Sequence, residues 1–374
     1  MLSPSQSAAD EMEAVRQRFH TLHEIVEAAR QKLDRNFWDY LIGGTETEMT
    51  LRRNRQGLDS IAFRPRVLRN VARVDCSGRL LGQEMRIPVL TAPIGSIERF
   101  DPQGAAPVAE AAQAMGCGFM QSSVTTPPLE ETARRAPDAF RMFQLYVRGD
   151  SAWIDAIVER VIASGYRALC LTVDSAHYSR RERDIAKRFV AASPRTAGQA
   201  DFQAMLDWNE VARLKQKYKI PLMLKGICTA EDAALAVEHG VDVVYVSNHG
   251  GRQLDHGLGA IEILPEVVAA VKGRAEIVID GGFCRGTDIV KAIAMGANAV
   301  AIGRLYAFGL AAAGGPGVQR VLELLEDEIV RVLGLLGVDS FATLDGSYLQ
   351  AAAPTGSAHV LSAFPYIDPC DNRY

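Results

Sequence analysis

The sequence predicts a (β/α)8 TIM barrel carrying a helical extension at its N-terminus. Two observations lead to the barrel. Beyond residue 87, short apolar runs alternate with amphipathic stretches eight times. The runs are continuously apolar, as strands buried on both faces of a parallel sheet must be. A third observation fixes the scale: 374 residues accommodate one barrel of about 250 residues plus an extension in a single domain.

The predicted strands are residues 87–93, 118–123, 141–147, 168–174, 221–226, 241–248, 276–282 and 299–304. Helices are predicted between them, among others at 107–115, 230–238, 264–271 and 288–295. Thr229 followed by Asp232 reads as a capping box, and Gly240 and Gly296 stand where a helix end needs glycine. Upstream, residues 11–42 read as helices, with Leu22, Ile25, Val26 and Leu33 near helical spacing, and a further helical stretch starts around Glu46. The segment Phe63-Arg64-Pro65-Arg66 breaks into extended chain. The domain therefore divides into an extension (1–86), the barrel (87–340) and a tail (341–374).

A formal net charge of -4 without basic or acidic blocks excludes a nucleic-acid surface. The six cysteines, at 76, 117, 170, 228, 284 and 370, form no C-x-x-C pair, so neither a zinc ribbon nor a disulfide framework is expected. The first twenty residues lack the apolar core of a signal peptide, and no apolar run reaches the roughly 18 residues of a membrane span. Asn372-Arg373-Tyr374 is neither a retention nor a peroxisomal signal. A reduced, cytoplasmic setting is the expectation.

In such barrels the working residues gather where the strands end. Those ends carry Pro93, Ser122, Gln144, Tyr146, Thr172, Asp174, Lys225, His249, Asp280 and Arg304. Residues 175–220, between the fourth and fifth strands, form a long polar connection, read as a lid or an excursion.

The segment Ser247-Asn248-His249-Gly250-Gly251-Arg252-Gln253 follows the sixth strand directly. Histidine accepts a proton near neutral pH. The two glycines allow a flat ligand to approach, and Arg252 can grip a carboxylate with paired hydrogen bonds. The alternative is a turn with a merely hydrogen-bonded histidine; the position at a strand end favours chemistry. Asp280-Gly281-Gly282 and Gly303-Arg304 follow the last two strands, where barrels of this kind bind phosphate. No G-x-G-x-x-G motif supports a nicotinamide cofactor. Lys225, in an apolar run, requires a partner: a core carboxylate or a ligand. Arg181 is either a second carboxylate ligand or part of a solvated face. The remaining histidines offer no ligand pair, so no metal is expected.

Seven collinear motifs carry a family resemblance: FRPR (63–66), FQLYV (143–147), LTVD (171–174) with RRE (180–182), LKG (224–226), SNHGGRQLD (247–255), DGG (280–282) and IGR (302–304). From about residue 20 to 350 the chain resembles the FMN-dependent 2-hydroxy-acid oxidases and dehydrogenases: glycolate oxidase, lactate oxidase, mandelate dehydrogenase and the flavin domain of flavocytochrome b2. The resemblance implies FMN as cofactor, a 2-hydroxy acid as substrate, dioxygen or a quinone or another acceptor as oxidant, and a homotetramer. It implies His249 as base, Asp174 as its carboxylate partner and Tyr146 as hydrogen-bond donor to the substrate. Arg252 and Arg181, assisted by Tyr40, would hold the substrate carboxylate. The flavin would lie on Pro93, Ile94 and Gly95, with Ser122, Gln144, Thr172, Lys225 and Ser247 at its polar edge. Asp280, Gly281, Gly282, Gly303 and Arg304 would meet the ribityl-phosphate end.

Four departures qualify the resemblance. Cys284 stands where the family usually has a phosphate-binding arginine, with Arg285 next to it as the expected substitute. The connection after the fourth strand is short, residues 191–207 replacing a longer lid. Val124 and Tyr178, lining the side-chain end of the substrate, replace the tryptophan and leucine of glycolate oxidase. Gly95 stands where alanine is frequent. Together they predict a roomy pocket and an aryl or otherwise bulky L-2-hydroxy acid, such as mandelate, in preference to lactate, with a peptide-borne or larger hydroxy acid as the alternative. The competing readings are a non-redox FMN barrel of the type 2 isopentenyl-diphosphate isomerase kind and a non-catalytic binding barrel.

Overall fold

The computed structural model describes residues 4–189 and 201–367. Eight parallel strands close into one barrel: β1 (Val89–Thr91), β2 (Gly118–Ser122), β3 (Phe140–Leu145), β4 (Ala168–Thr172), β5 (Leu222–Ile227), β6 (Val243–Val246), β7 (Glu276–Ile279) and β8 (Ala299–Ile302). They follow one another around the barrel, and β8 pairs with β1 to close it. Every predicted run forms a strand, and most strands stop short of the polar end of the run. Tyr146, Asp174, His249, Gly282 and Arg304 thus lie just beyond the ladder, free of sheet geometry and grouped at one rim.

The barrel interior is a core of its own. Leu90, Met120, Met142, Cys170, Met223, Tyr245 and Val278 pack there with Ala299 and Ala301. A hairpin from the extension, Gly78–Leu80 with Gln83–Met85, plugs the opposite end, where Leu80 and Met85 join the interior cluster. The extension is therefore not helical throughout. It also contributes strand Ile61–Phe63, which pairs antiparallel with Leu349–Ala351 of the tail.

Helices sheathe the barrel, among them Ala105–Ala114, Ser151–Ala163, Ala230–Glu238, Ala260–Val271 and Gly286–Ala294. The last, Arg304–Leu336, bends at Ala313–Gly314 and packs on Leu22–Lys32. In the extension, helices Arg35–Ile42 and Met49–Asp59 lean over the active rim. Thr229 Oγ1 accepts from the Asp232 amide without the reciprocal bond of a capping box. Gly240 and Gly296 follow their helices at φ 69° and 105°.

The described parts of the 175–220 connection, 175–189 and 201–220, contain regular structure. Glu182–Ala186 and Trp208–Lys217 are helices, the second capped by Asp207, whose carboxylate accepts from the amides of Asn209 and Glu210. Residues 190–200, Cys370 and the terminal Asn372-Arg373-Tyr374 lie outside the described residues. Among the described residues, the five cysteines are free, no group of side chains could hold a metal, and no helix is long and apolar enough to cross a membrane.

Candidate active site

A cavity of about 650 Å³ opens at the C-terminal rim. His249, Tyr146, Lys225, Arg252, Arg181, Tyr40, Val124, Tyr178, Asp280 and Arg304 border it, as do Pro93, Ile94, Gly95, Gly281, Gly282 and Gly303. Asp174 stands directly behind His249.

The chain leaves β6 through three consecutive left-handed residues, His249, Gly250 and Gly251, at φ 59°, 63° and 73°. At Gly251 a side chain would strike the backbone of Leu51 at 2.5 Å, so glycine is required there. The left-handed histidine is strained, and such strain concentrates at functional sites. The Ser247 hydroxyl accepts the His249 amide at 3.0 Å, and the Asn54 and Asn248 amides bond each other across the turn.

His249 Nδ1 lies 3.0 and 3.2 Å from the Asp174 carboxylate oxygens, and Nε2 lies 3.2 Å from the Tyr146 hydroxyl. Gly226 makes the pairing possible, because a Cβ there would come within 2.7 Å of Asp174. Burial pushes His249 below the ordinary histidine value, against the pull of the Asp174 charge. Burial alone would raise Asp174, but His249 and Lys225 hold it below the ordinary carboxylate range. The resulting pair is a neutral imidazole donating from Nδ1 to a carboxylate, with the Nε2 lone pair turned to the cavity. Burial drives the Tyr146 phenol well above its ordinary value, so it stays protonated and donates.

Two partly buried cations face this base. Arg252 Nη1 donates to the carbonyls of Tyr40 (2.6 Å) and Gly43 (2.8 Å). Arg304 donates to the carbonyls of Leu41, Gly43 and Gly250 at 2.9 to 3.0 Å. Among the described residues no carboxylate hydrogen-bonds either guanidinium. Burial accordingly pushes Arg252 down to about 10 and Arg304 down to about 9. Guanidinium keeps its proton in proteins, so the depression marks an under-compensated cation that a bound anion would relieve. Arg252 and Arg181 both lie over the Tyr40 ring, at 4.8 and 5.8 Å from its centroid. Tyr178, 64% exposed, stands at the rim.

A polar belt runs beneath the cavity. Ser122 donates to Gln144 Oε1 and Gln144 Nε2 to Thr172 Oγ1, each at 2.8 Å. These three residues and Ser247 support the wall from behind and do not border the cavity. Lys225 Nζ donates to Ser247 at 2.8 Å and pairs with Asp280 at 3.2 Å. It therefore has the core carboxylate partner and also faces the cavity. Burial would lower its value, but Asp280 and Asp174 raise it, so the ammonium is retained.

These residues fit FMN. The backbone at 93–95 offers a wall, and the Lys225 ammonium, held in place by the belt behind it, offers a donor to a heteroaromatic edge. The under-compensated Arg304 begins a helix whose first amides lack intrahelical partners, an anion-binding arrangement. At Gly303 a Cβ would meet nothing nearer than Ala92 at 4.0 Å, which leaves room beside it.

Arg285 corrects the sequence-based expectation. It pairs with Glu328 at 2.5 Å, donates to the Ala363 carbonyl, and does not border the cavity; Cys284 does. The cause is Asp288, whose carboxylate takes the amides of both Cys284 and Arg285. That cap turns Cys284 inward and Arg285 out to Glu328. The sequence reading also missed Arg55, which borders the cavity and is held bidentately by Asp288 at 2.7 and 2.8 Å. In the run Arg52-Arg53-Asn54-Arg55 nothing set it apart. Phe100, Phe202 and Gln203, also at the cavity, come from stretches that read as connections.

The FMN-dependent dehydrogenase family profile matches residues 29–351. The chain is 38% identical over 355 residues to L-lactate oxidase of Nostoc sp., covering 88% of this chain and 97% of that protein. It is 38% identical over 354 residues to glycolate oxidase of Spinacia oleracea, covering 88% and 95%. A mandelate oxidase structure with (S)-2-phenylpropionate superimposes with TM-score 0.82 at 35% identity, covering 90% and 99%. A soluble mutant of the membrane-associated (S)-mandelate dehydrogenase from Pseudomonas putida does so with TM-score 0.82 at 34% identity, covering 88% and 99%. These relatives favour neither the isomerase reading nor the binding barrel. The chain belongs to the FMN-dependent dehydrogenase family, the oxidases and dehydrogenases of 2-hydroxy acids.

Proposed function

We propose that this enzyme oxidises an L-2-hydroxy acid with a bulky, aryl side chain, of the mandelate kind, to the 2-oxo acid. The observation that carries the chemistry is the Nε2 of a carboxylate-held neutral histidine, turned to a cavity that also holds the under-compensated Arg252.

FMN, held by the backbone at 93–95, Lys225 and Arg304, would supply the two-electron acceptor for the α-hydrogen. Arg252 and Arg181 hold the substrate carboxylate, which relieves the buried charge of Arg252 and fixes the α-carbon. His249 takes the proton on Nε2, from the hydroxyl if the α-hydrogen leaves as hydride, or from the α-carbon if a proton leaves first. Asp174 keeps the imidazole in the donating tautomer and stabilises the imidazolium that forms. The Tyr146 phenol hydrogen-bonds the substrate oxygen. The Lys225 ammonium favours negative charge at the cavity floor. Dioxygen, a quinone or another acceptor completes the cycle.

The cavity walls favour a large substrate side chain. Gly95 and Val124 are small, and Tyr40, Phe100, Tyr146, Tyr178 and Phe202 border the cavity with aromatic rings. The test is anaerobic mixing of the holoenzyme with mandelate, lactate and glycolate, followed by admission of air. Bleaching of the flavin band by mandelate is expected, and its return in air identifies an oxidase. A kcat/KM strongly favouring lactate would refute the aryl assignment. A flavin that no 2-hydroxy acid reduces would refute the reaction.

A further inference from the structure

The connection between β4 and β5 reaches into the active site through residues 201–206. This turn is closed by Asp201, whose carboxylate accepts the Ala204 amide at 3.3 Å. Two of its side chains, Phe202 and Gln203, border the cavity.

Gln203 is only 4% exposed, in a connection that is otherwise polar and open. A buried amide needs partners at both ends, and this one has them. Its Oε1 accepts the Val147 amide at 2.7 Å, and its Nε2 donates to the Thr172 carbonyl at 2.7 Å. Val147 directly follows Tyr146, and Thr172 lies two residues before Asp174. One side chain therefore ties the turn across the ends of β3 and β4 that bear proton-handling residues.

Phe202 is partly buried against the core. The other aromatic side chains of the cavity are engaged elsewhere. Phe100 stacks on Tyr40, ring centroids 6.4 Å apart, beside the carboxylate-holding arginines, and Tyr178 lies out at the rim. Val124 is too short to wall in a phenyl ring by itself.

We propose that Gln203 is a positioning residue that clamps the 201–206 turn, and that the clamp presents Phe202 as the wall against which the substrate's side chain packs. Phe202 is then a specificity-determining residue for aryl substrates. The proposal rests on the reading of the cavity as a 2-hydroxy-acid site and deepens it.

The holoenzyme and its F202A, Q203A and Q203M variants test it, with (S)-mandelate and L-lactate as probes. Q203M keeps the volume of glutamine and loses both hydrogen bonds. F202A should lower the mandelate-to-lactate ratio of kcat/KM about tenfold, chiefly through KM for mandelate. Q203A and Q203M should lower the same ratio and should speed proteolytic cleavage within 201–207 at unchanged Tm. An unchanged ratio in F202A overturns the role of Phe202. Cleavage and ratio unchanged in both Gln203 variants overturn the clamp. If neither acid reduces the wild-type flavin, the substrate reading and the role of Phe202 fall together, while cleavage still decides the clamp.

Discussion

A methyl group added to Gly95 would sit 2.6 Å from Cγ2 of Val124. Two of the positions that set this sequence apart from the family pattern therefore adjoin. Their backbones are also joined, the Ser96 amide donating to the Val124 carbonyl at 2.9 Å. Valine is stiff about χ1 and cannot swing aside cheaply. G95A should lower kcat/KM for the preferred acid by about tenfold, from an overpacking cost of roughly 1–3 kcal/mol. V124A should recover most of that loss. Steady-state kinetics on the four members of the cycle should give a coupling of about 1 kcal/mol or more, and additive losses would show that the positions act separately.

Asp174 should matter through tautomer and charge. D174N keeps the shape of the side chain but no longer favours a proton on Nδ1 or stabilises an imidazolium. Its rate of anaerobic flavin reduction should fall on the order of a thousandfold, with FMN still bound. A fall of less than about tenfold would remove Asp174 from this role.

The pH dependence follows from the direction of the His249 shift. Its folded value lies below the ordinary 6.5, so the free base persists as the pH falls past 6.5. The acid limb of kcat/KM should therefore lie below 6.5. In D174N the limb should move lower still, because the charge that opposes the shift is gone. The same difference is linked to stability. The unfolded chain binds the proton first, so the contribution is complete above the unfolded value and is lost as pH falls through the window down to the folded one. A limb above 6.5 in the wild type would contradict a buried, neutral base.

Cofactor affinity should separate two neighbouring cations. Arg285 is spent on Glu328, whereas Arg304 is an under-compensated charge in the cavity wall. Titration of the apoprotein with FMN should show R285A within about twofold of wild type and R304A weaker by about tenfold or more. The reverse order would return Arg285 to the phosphate.

Asp288 should prove structural. Arg55 and Asp288 form a buried pair, their side chains 5% and 1% exposed. D288A leaves Asp59 as the remaining carboxylate on Arg55 and frees two amides of the 284–285 turn, at a cost of about 3 kcal/mol. Urea unfolding would show it as a lowered midpoint.

The barrel was legible because strands buried on both faces leave uninterrupted apolar runs, and their polar ends mark the rim. His249 and Arg252 could be read from that position. The rest depended on partners far along the chain. Whether Cys284 or Arg285 faces inward is decided by the Asp288 cap and by Glu328, and nothing local distinguishes the two. The helix Trp208–Lys217 escaped because only Val211 and Leu214 are buried on it, too thin a stripe for periodicity to register. Gln203 looked like any glutamine in a polar stretch until its two backbone partners were in view.

The hairpin that plugs the barrel has a consequence for traffic. With Leu80 and Met85 closing the far end of the packed barrel interior, the described residues leave the site a blind-ended well that opens at the rim. An acceptor as large as a quinone would compete with substrate for that doorway, and with such an acceptor the 2-oxo acid should depart before the oxidant arrives. A residue pair that keeps water out of a core would thereby set the order of events at the other end of the barrel, and parallel double-reciprocal plots with a quinone acceptor are the expected signature.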